Sequence, residues 1–275
     1  MTKQDLTSIV ILVDESGSMG SLQQETISGI NAFVEDQKKL PGSAELTLAK
    51  FSYENAYLFK NKPLSEVSPL TTDHYRPAGG TALLDSLGTA VDDLGEHLKS
   101  IPDEARPGKV IFVVITDGQE NSSRRFTRSQ VAQMTKHQQD KYNWEFVFLG
   151  ANLDAVHEAD TLGFKTANAV NYSASSAGTM SAYRGITKGV GMMRGLSDSD
   201  ELKSFSFAAS AGADIDLNNA VPLADLKLPK DKLLSGDEEK DKAKLAWFRN
   251  SEPKPENPDL TNPPGAQVIK SVKLK

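Results

Sequence analysis

The sequence contains no cysteine, which removes disulfides, thiolate metal sites and a cysteine nucleophile together and agrees with a reducing compartment. Long apolar runs are missing as well. The longest are strand-sized, far short of the ~20 residues a membrane helix needs, and the polar start Met1-Thr-Lys-Gln-Asp5 is not a signal peptide. A cytoplasmic protein without membrane contact is therefore expected. There is no basic excess either. A formal charge of −6 argues against a general nucleic-acid binder, because phosphate affinity comes from clustered Lys and Arg releasing counterions. Arg124, Arg125 and Arg128 do cluster, and a solvated loop is the plainer meaning. Catalytic signatures are absent too: no Gly-x-Ser-x-Gly elbow, no Gly-x-x-x-x-Gly-Lys-Ser/Thr phosphate loop, no Asp-x-Asp pair at the first strand. The histidines, His74, His97, His137 and His157, make no His-x-x-x-His pair and have no zinc spacing, which favours surface roles.

What remains is an ordinary soluble composition, 38% hydrophobic and 25% charged, in a chain of 275 residues. That length holds one α/β domain of about 200 residues and an appendage. Ser8 to Val13 is an unbroken apolar run, which fits a buried parallel strand with no wet face to alternate with. It stops abruptly at Asp14-Glu-Ser16-Gly-Ser18-Met19. Lys109 to Thr116 is a second such run, and it too breaks at a carboxylate, Asp117-Gly118. In a doubly wound sheet ligands bind at the carboxyl ends of the strands, where strand order reverses. Asp-x-Ser-x-Ser offers hard oxygen donors at alternate positions, suited to Mg²⁺, Mn²⁺ or Ca²⁺. The same residues also read as a helix cap.

Further strands are expected at Glu45 to Tyr53 and Ala56 to Lys62, joined as a hairpin with one antiparallel edge strand, at Trp144 to Gly150, and at Ala169 to Tyr172. Helices are expected over Ser21 to Leu40, from Thr81 to about Ser100, over Thr127 to Tyr142, after Asn152-Leu-Asp154 up to Gly163, and over Ser176 to Gly195. The last has a thin apolar stripe. Gly185, Gly189, Gly191 and Gly195 interrupt it, so loose docking is expected. Leu64 to Pro77 reads as a surface loop that delivers Gly79-Gly80-Thr81, either a helix cap or glycines that bring the Thr81 hydroxyl close to another loop. Strand and helix alternate throughout, which means a mostly parallel six-stranded α/β sheet with helices on both faces. Beyond Leu196 the charged, Pro-containing composition is that of a tail. The expected division is residues 1–196 as the domain and 197–275 as the tail, with Phe205-Ser-Phe-Ala-Ala209 as a short strand and Gly236 to Phe248 as a short helix.

With Asp14-x-Ser16-Gly-Ser18-Met19, Gly79-Gly80-Thr81 and Thr116-Asp117-Gly118 in this order, residues 5 to 196 resemble the von Willebrand factor type A family, and in particular its intracellular bacterial and phage-type members. The resemblance implies a Rossmann-like fold and a metal-ion-dependent adhesion site. It implies Ser16, Ser18 and Thr81 as hydroxyl donors, with Asp14 and Asp117 ligating the ion or orienting its waters. It also implies Mg²⁺ or Mn²⁺ as cofactor, Ca²⁺ being a further candidate, and a protein partner that offers an Asp or Glu side chain. The implied activity is recognition rather than catalysis. A metal-dependent hydrolase or phosphoryl-transfer enzyme using the same site, and a structural assembly protein of a larger particle, are the alternatives. Glu15 and Glu120 add negative charge near the rim, which would oppose an acidic partner.

Overall fold

A computed structural model describes residues 3–151, 154–196 and 199–211. Its centre is a six-stranded sheet in the order β3-β2-β1-β4-β5-β6. The strands are β1 (Lys3–Asp14), β2 (Ser43–Phe51), β3 (Asn55–Pro63), β4 (Pro107–Thr116), β5 (Glu145–Gly150) and β6 (Ala169–Asn171). All neighbours run parallel except β2 and β3, a hairpin that makes β3 the antiparallel edge. From β1 the chain first builds outward to β2 and β3, then returns to lay β4 on the other side of β1. The reversal therefore falls between β1 and β4, whose carboxyl ends carry Asp14 and Thr116.

The unbroken apolar runs are explained by burial on both sides. Ile9, Ile11 and Val13 of β1, with Ile111, Val113 and Ile115 of β4, face a core shared with α1 (Gln23–Lys38) and α5 (Ser176–Gly195). Val10, Leu12, Phe112 and Val114 face the opposite core beside α2 (Leu83–Ser100) and α3 (Arg128–Tyr142). Alternation of side chains along each strand makes the two sets. The α2 stripe Leu84, Leu87, Val91, Leu94 and Leu98 is buried in that second core. Thr127 and Gln130 form a reciprocal capping box at the start of α3, and Asp154 caps α4 (Ala155–Thr161) by accepting from His157 N at 3.0 Å. No described helix is long and apolar enough to cross a membrane.

Three expectations need correction. The segment from Leu64 to Pro77 is no mere surface loop, since Leu64, Val67, Leu70 and Tyr75 are buried in the α1/α5 core. The stripe of α5 is not thin, since most of the helix is buried, and Gly189 does more than interrupt it. A Cβ at Gly189 would lie 2.2 Å from the Phe207 ring, and one at Gly29 of α1 would lie 2.3 Å from Tyr183 of α5. These glycines admit aromatic rings that a methyl group would exclude. The packed body also continues past Leu196, into α6 (Ser199–Ser204) and α7 (Phe207–Ala211). Leu202, Phe207 and Ala211 are buried in the core. Lys165 and Asn168 both bind the buried Glu145 carboxylate, and Phe207 N donates to Asn168 Oδ1 at 3.1 Å. The stretch expected as a strand is thus a helical turn, with Ser206 Oγ accepting from Ala209 N at 3.2 Å. The helix expected over residues 236–248 lies outside the described residues, as does Asn152.

Candidate metal centre

Asp14 ends β1 fully buried, 0% exposed. Its Oδ1 accepts from Ser16 N at 2.7 Å and its Oδ2 from Thr116 Oγ1, across the β1/β4 crevice, at 2.6 Å. From there a chain of hydroxyls runs outward. Ser16 Oγ lies 3.0 Å from Ser18 Oγ, and Ser18 Oγ donates to Asp117 Oδ1 at 2.6 Å. Asp14, Ser16 and Asp117 are buried, and Ser18 is exposed at the mouth. Thr81 joins from the third loop. A Cβ on Gly118 would sit 3.5 Å from Thr81 Oγ1 and 3.8 Å from Ser18 Oγ, which puts both hydroxyls beside that glycine. All five expected residues are therefore brought to one end of one crevice.

Backbone bonds lock the three loops together. Gly17 N donates to Gly79 O at 3.1 Å, Ala78 N to Glu15 O at 2.7 Å, and Asn121 N to Thr81 O at 3.0 Å. Asn121 Oδ1 returns the last by accepting from Thr81 N at 2.9 Å. Gly79 has φ +88°, a conformation that costs glycine little and other residues much. Gly80 is hemmed between the Tyr53 ring and Ser122 Oγ, each within 3 Å of where a Cβ would be. Tyr53, 69% exposed, thus lies on the glycines at the rim.

Burial sets the electrostatics. Desolvation pushes the Asp14 carboxyl up to about 6, opposed by the neutral donors Thr116 and Ser16 and reinforced by the nearby charge of Asp117. Burial raises Asp117 as well, against the Ser18 hydroxyl. Two carboxylates drawn out of water favour a nearby positive charge. The oxygen-only donor set, with three further hydroxyls, fits a hard divalent cation. Among the described residues no three His, Cys, Asp or Glu side chains group to hold a metal, so a cation here depends on the hydroxyls.

The rim glutamates also brace the loops, and among the described residues only Glu15 has a cation against it. Glu15 Oε1 accepts from Lys50 Nζ at 2.9 Å and from Arg76 N at 2.5 Å. Glu120 accepts from Leu84 N, Ser122 N, Ser123 N and Ser123 Oγ, which anchors its loop to the start of α2. Both carboxylates tie loops together. Sequence reasoning missed Thr116 as the partner of Asp14, Asn121 as the brace of Thr81, and Tyr75, whose hydroxyl donates to Asp14 O. A hydroxyl at the end of β4 was the only sequence signal among these three. Asn121 and Tyr75 reach the site through loops whose course no local pattern gives.

No protein-family model matches the chain, and no curated protein does. Solved structures are similar at low identity. A von Willebrand factor type A protein from Catenulispora acidiphila is 16% identical, with 66% of this chain and 42% of that chain covered and a TM-score of 0.44. Manganese-loaded TRAP protein from Plasmodium vivax is 15% identical, with coverage of 59% and 64% and a TM-score of 0.40. Proximal thread matrix protein 1 from the mussel byssus, with a zinc-occupied MIDAS motif, is 18% identical, with coverage of 62% and 42% and a TM-score of 0.43. This chain spans less than two thirds of the length of each. Its own topology, a mostly parallel six-stranded sheet with β3 as antiparallel edge and Asp14-x-Ser16-x-Ser18, Thr81 and Asp117 at the β1/β4 crevice, makes the fold von Willebrand factor type A-like.

Proposed function

We propose that the protein is a divalent-cation-dependent protein-interaction module in which Asp14, Ser16, Ser18, Thr81 and Asp117 hold Mg²⁺ or Mn²⁺. The observation that carries this reading is the hydrogen-bonded run Asp14, Ser16, Ser18, Asp117 across the β1/β4 crevice, an all-oxygen set in which burial raises both carboxyls. The bound cation supplies positive charge to an anionic oxygen from outside, here the Asp or Glu side chain of a partner protein. The protein's own residues do the rest. Ser18 presents its hydroxyl at the mouth, Thr116 and Ser16 fix both oxygens of Asp14, and the Gly79-Gly80 turn sets Thr81 beside Gly118.

The test is a thermal melt of the purified chain with and without Mn²⁺ or Mg²⁺. A ligand that binds only the folded state stabilises it by mass action, about 2.7 kcal/mol at a hundredfold excess over Kd. Wild-type protein is expected to melt higher with the ion and Asp117→Ala is expected to respond far less. Equal responses remove the site from the argument, and turnover of a phosphoester by the metal-loaded wild type replaces recognition with hydrolysis.

A further inference from the structure

Two carboxylates outside the candidate centre tie its loops together in opposite directions. Glu120 lies in the loop of residues 118–127, directly after Asp117, and Asp85 lies in the first turn of α2, shortly after Thr81. Glu120 Oε2 reaches out of its loop to accept from Leu84 N at 2.9 Å. Asp85 reaches the other way. Its Oδ2 accepts from Arg124 N at 2.8 Å, and its Oδ1 from Arg125 N at 2.8 Å and Phe126 N at 2.9 Å, three successive amides of the loop. Ser123 Oγ joins the two carboxylates by donating to Glu120 Oε2 at 2.8 Å and accepting from Asp85 N at 3.0 Å. Farther along, the Phe126 ring rests on α2, where a Cβ at Gly88 would lie 2.6 Å from it. The Arg124-Arg125 pair therefore enters this contact through its amides, with Arg125 Nη1 adding a bond to Thr89 Oγ1 at 3.3 Å. Desolvation works against the Asp85 charge, yet the three amides and the Arg125 guanidinium bring its carboxyl below the ordinary value. The acceptor is thus charged at neutral pH, which strengthens each of its bonds.

These bonds decide which parts of the centre move together. Asp117 opens the loop, and Asn121 of the same loop holds both the N–H and the carbonyl of Thr81. The two carboxylates fasten the rest of the loop to the helical turn that follows Thr81. We propose that Asp85, with Glu120 as its counterpart, is a positioning residue for the cation: it makes the Thr81 turn and the Asp117 loop one body, so that hydroxyl and carboxylate keep their spacing before an ion arrives. Both carboxylates are engaged by donors of the protein itself and act through the loops they hold. A first shell is only as well aligned as the residues that support it, and removing such supports weakens metal sites 10–100-fold in general.

The role toward an ion rests on the recognition reading, whereas the coupling of the two loops does not. Two measurements separate them. Hydrogen exchange on the metal-free full chain reads the coupling. Asp85→Ala is expected to speed exchange at Arg124, Arg125 and Phe126 and, with them, at Thr81 and Leu84, while the amides of β1 and β4 keep their protection. Faster exchange confined to residues 124–126 overturns the coupling. Should Asp85→Ala not fold, Asp85→Asn, which keeps one oxygen for Arg125 N and Phe126 N, takes its place with the same pattern expected in weaker form. Calorimetric Mn²⁺ titration of folded protein reads the positioning. Asp85→Ala is expected to bind about tenfold more weakly than wild type, with Asp85→Asn between the two. Gly189→Ala, which disturbs the core on the other face of the sheet, is expected to bind like wild type. Wild-type affinity in Asp85→Ala overturns the positioning role. An equal loss in Gly189→Ala overturns it as well, by assigning the effect to general loosening. If wild-type protein takes up no Mn²⁺ at all, the recognition reading fails and the role toward an ion with it, while the exchange result still decides the coupling.

Discussion

Replacing Asp14 by Asn separates what this residue does for stability from its proposed part in holding a metal. Burial holds the carboxyl up to about 6 against an ordinary 3.8. At about 1.36 kcal/mol per pH unit of displacement, the charged form costs the metal-free protein about 3 kcal/mol at neutral pH. A carboxyl raised in the folded state contributes stability that is fully present below its unfolded value of 3.8 and is lost as pH rises through about 6. Asparagine carries no charge and loses nothing over that window. It does forfeit one acceptor, because Ser16 N and Thr116 Oγ1 both donate to Asp14. The Thr116 hydroxyl has an alternative in Gly118 O, 3.0 Å away, which limits that loss to about 1 kcal/mol. Metal-free Asp14→Asn is therefore expected to be about 1–2 kcal/mol more stable than wild type at pH 7, a rise of a few degrees in Tm. The advantage should shrink to nothing or reverse near pH 4. Urea unfolding in EDTA across pH 4 to 7 reads both, and other carboxylates cancel in the difference between the two proteins. With saturating Mn²⁺ the order should invert, wild type gaining and the variant not. A variant less stable than wild type at pH 7 in EDTA, or one that Mn²⁺ stabilises equally, would refute the reasoning.

Other perturbations probe the packing that carries the crevice. Gly189→Ala puts a methyl 2.2 Å from the Phe207 ring and should cost about 1–3 kcal/mol, read as a lower urea midpoint with an unchanged slope. Truncation after Leu196 removes Leu202, Phe207 and Ala211 from the core. It should destabilise by about 3–5 kcal/mol, as loss of one buried aromatic does. Lys165→Met leaves the buried Glu145 carboxylate with the Asn168 hydrogen bond and the more distant charge of Lys203. It should cost about 2 kcal/mol at pH 7, below the 3–5 of a fully buried pair because Lys165 is 31% exposed. Burial already raises Glu145, so that cost should fade as pH drops and the carboxyl takes a proton.

Where local pattern and tertiary burial agree, the sequence is readable. The runs over β1 and β4 are apolar because both sheet faces are covered, and each stops where the chain must offer oxygens at the crevice. Ser176 to Gly195 has the bounds expected of α5, since Ser175 caps it and Leu196 leaves in extended conformation. What escaped notice depends on partners distant in sequence. Alternation in Phe205-Ser-Phe-Ala-Ala209 suggests a strand. Its Phe207 is instead anchored by a glycine on α5, and helix wins because Asn168 and Ser206 satisfy the backbone there. Tyr75 sits in a proline-containing loop with no period, and its burial follows from the carbonyl of Asp14 it must reach. Asp14, Ser16, Ser18 and Asp117 were visible because each follows or ends an apolar strand, whereas Thr81, in the loop before α2, came from the family resemblance. Their braces were not, because Asn121 and Thr116 act through hydrogen bonds across chain segments.

The two margins of the sheet have a consequence for how copies of this protein behave together. A flat, open strand edge is a template on which another chain can add a strand. One margin here is β6, three residues long. The other, β3, breaks its pairing with β2 in two places, and Asn61 turns to φ 47° with its N–H given to Thr47 Oγ1. Lys60 and Lys62 line that strand, and Pro63 ends it. Among the described residues, neither margin offers a regular row of donors and acceptors to a neighbour, so the sheet edges themselves are poor templates for adding a strand.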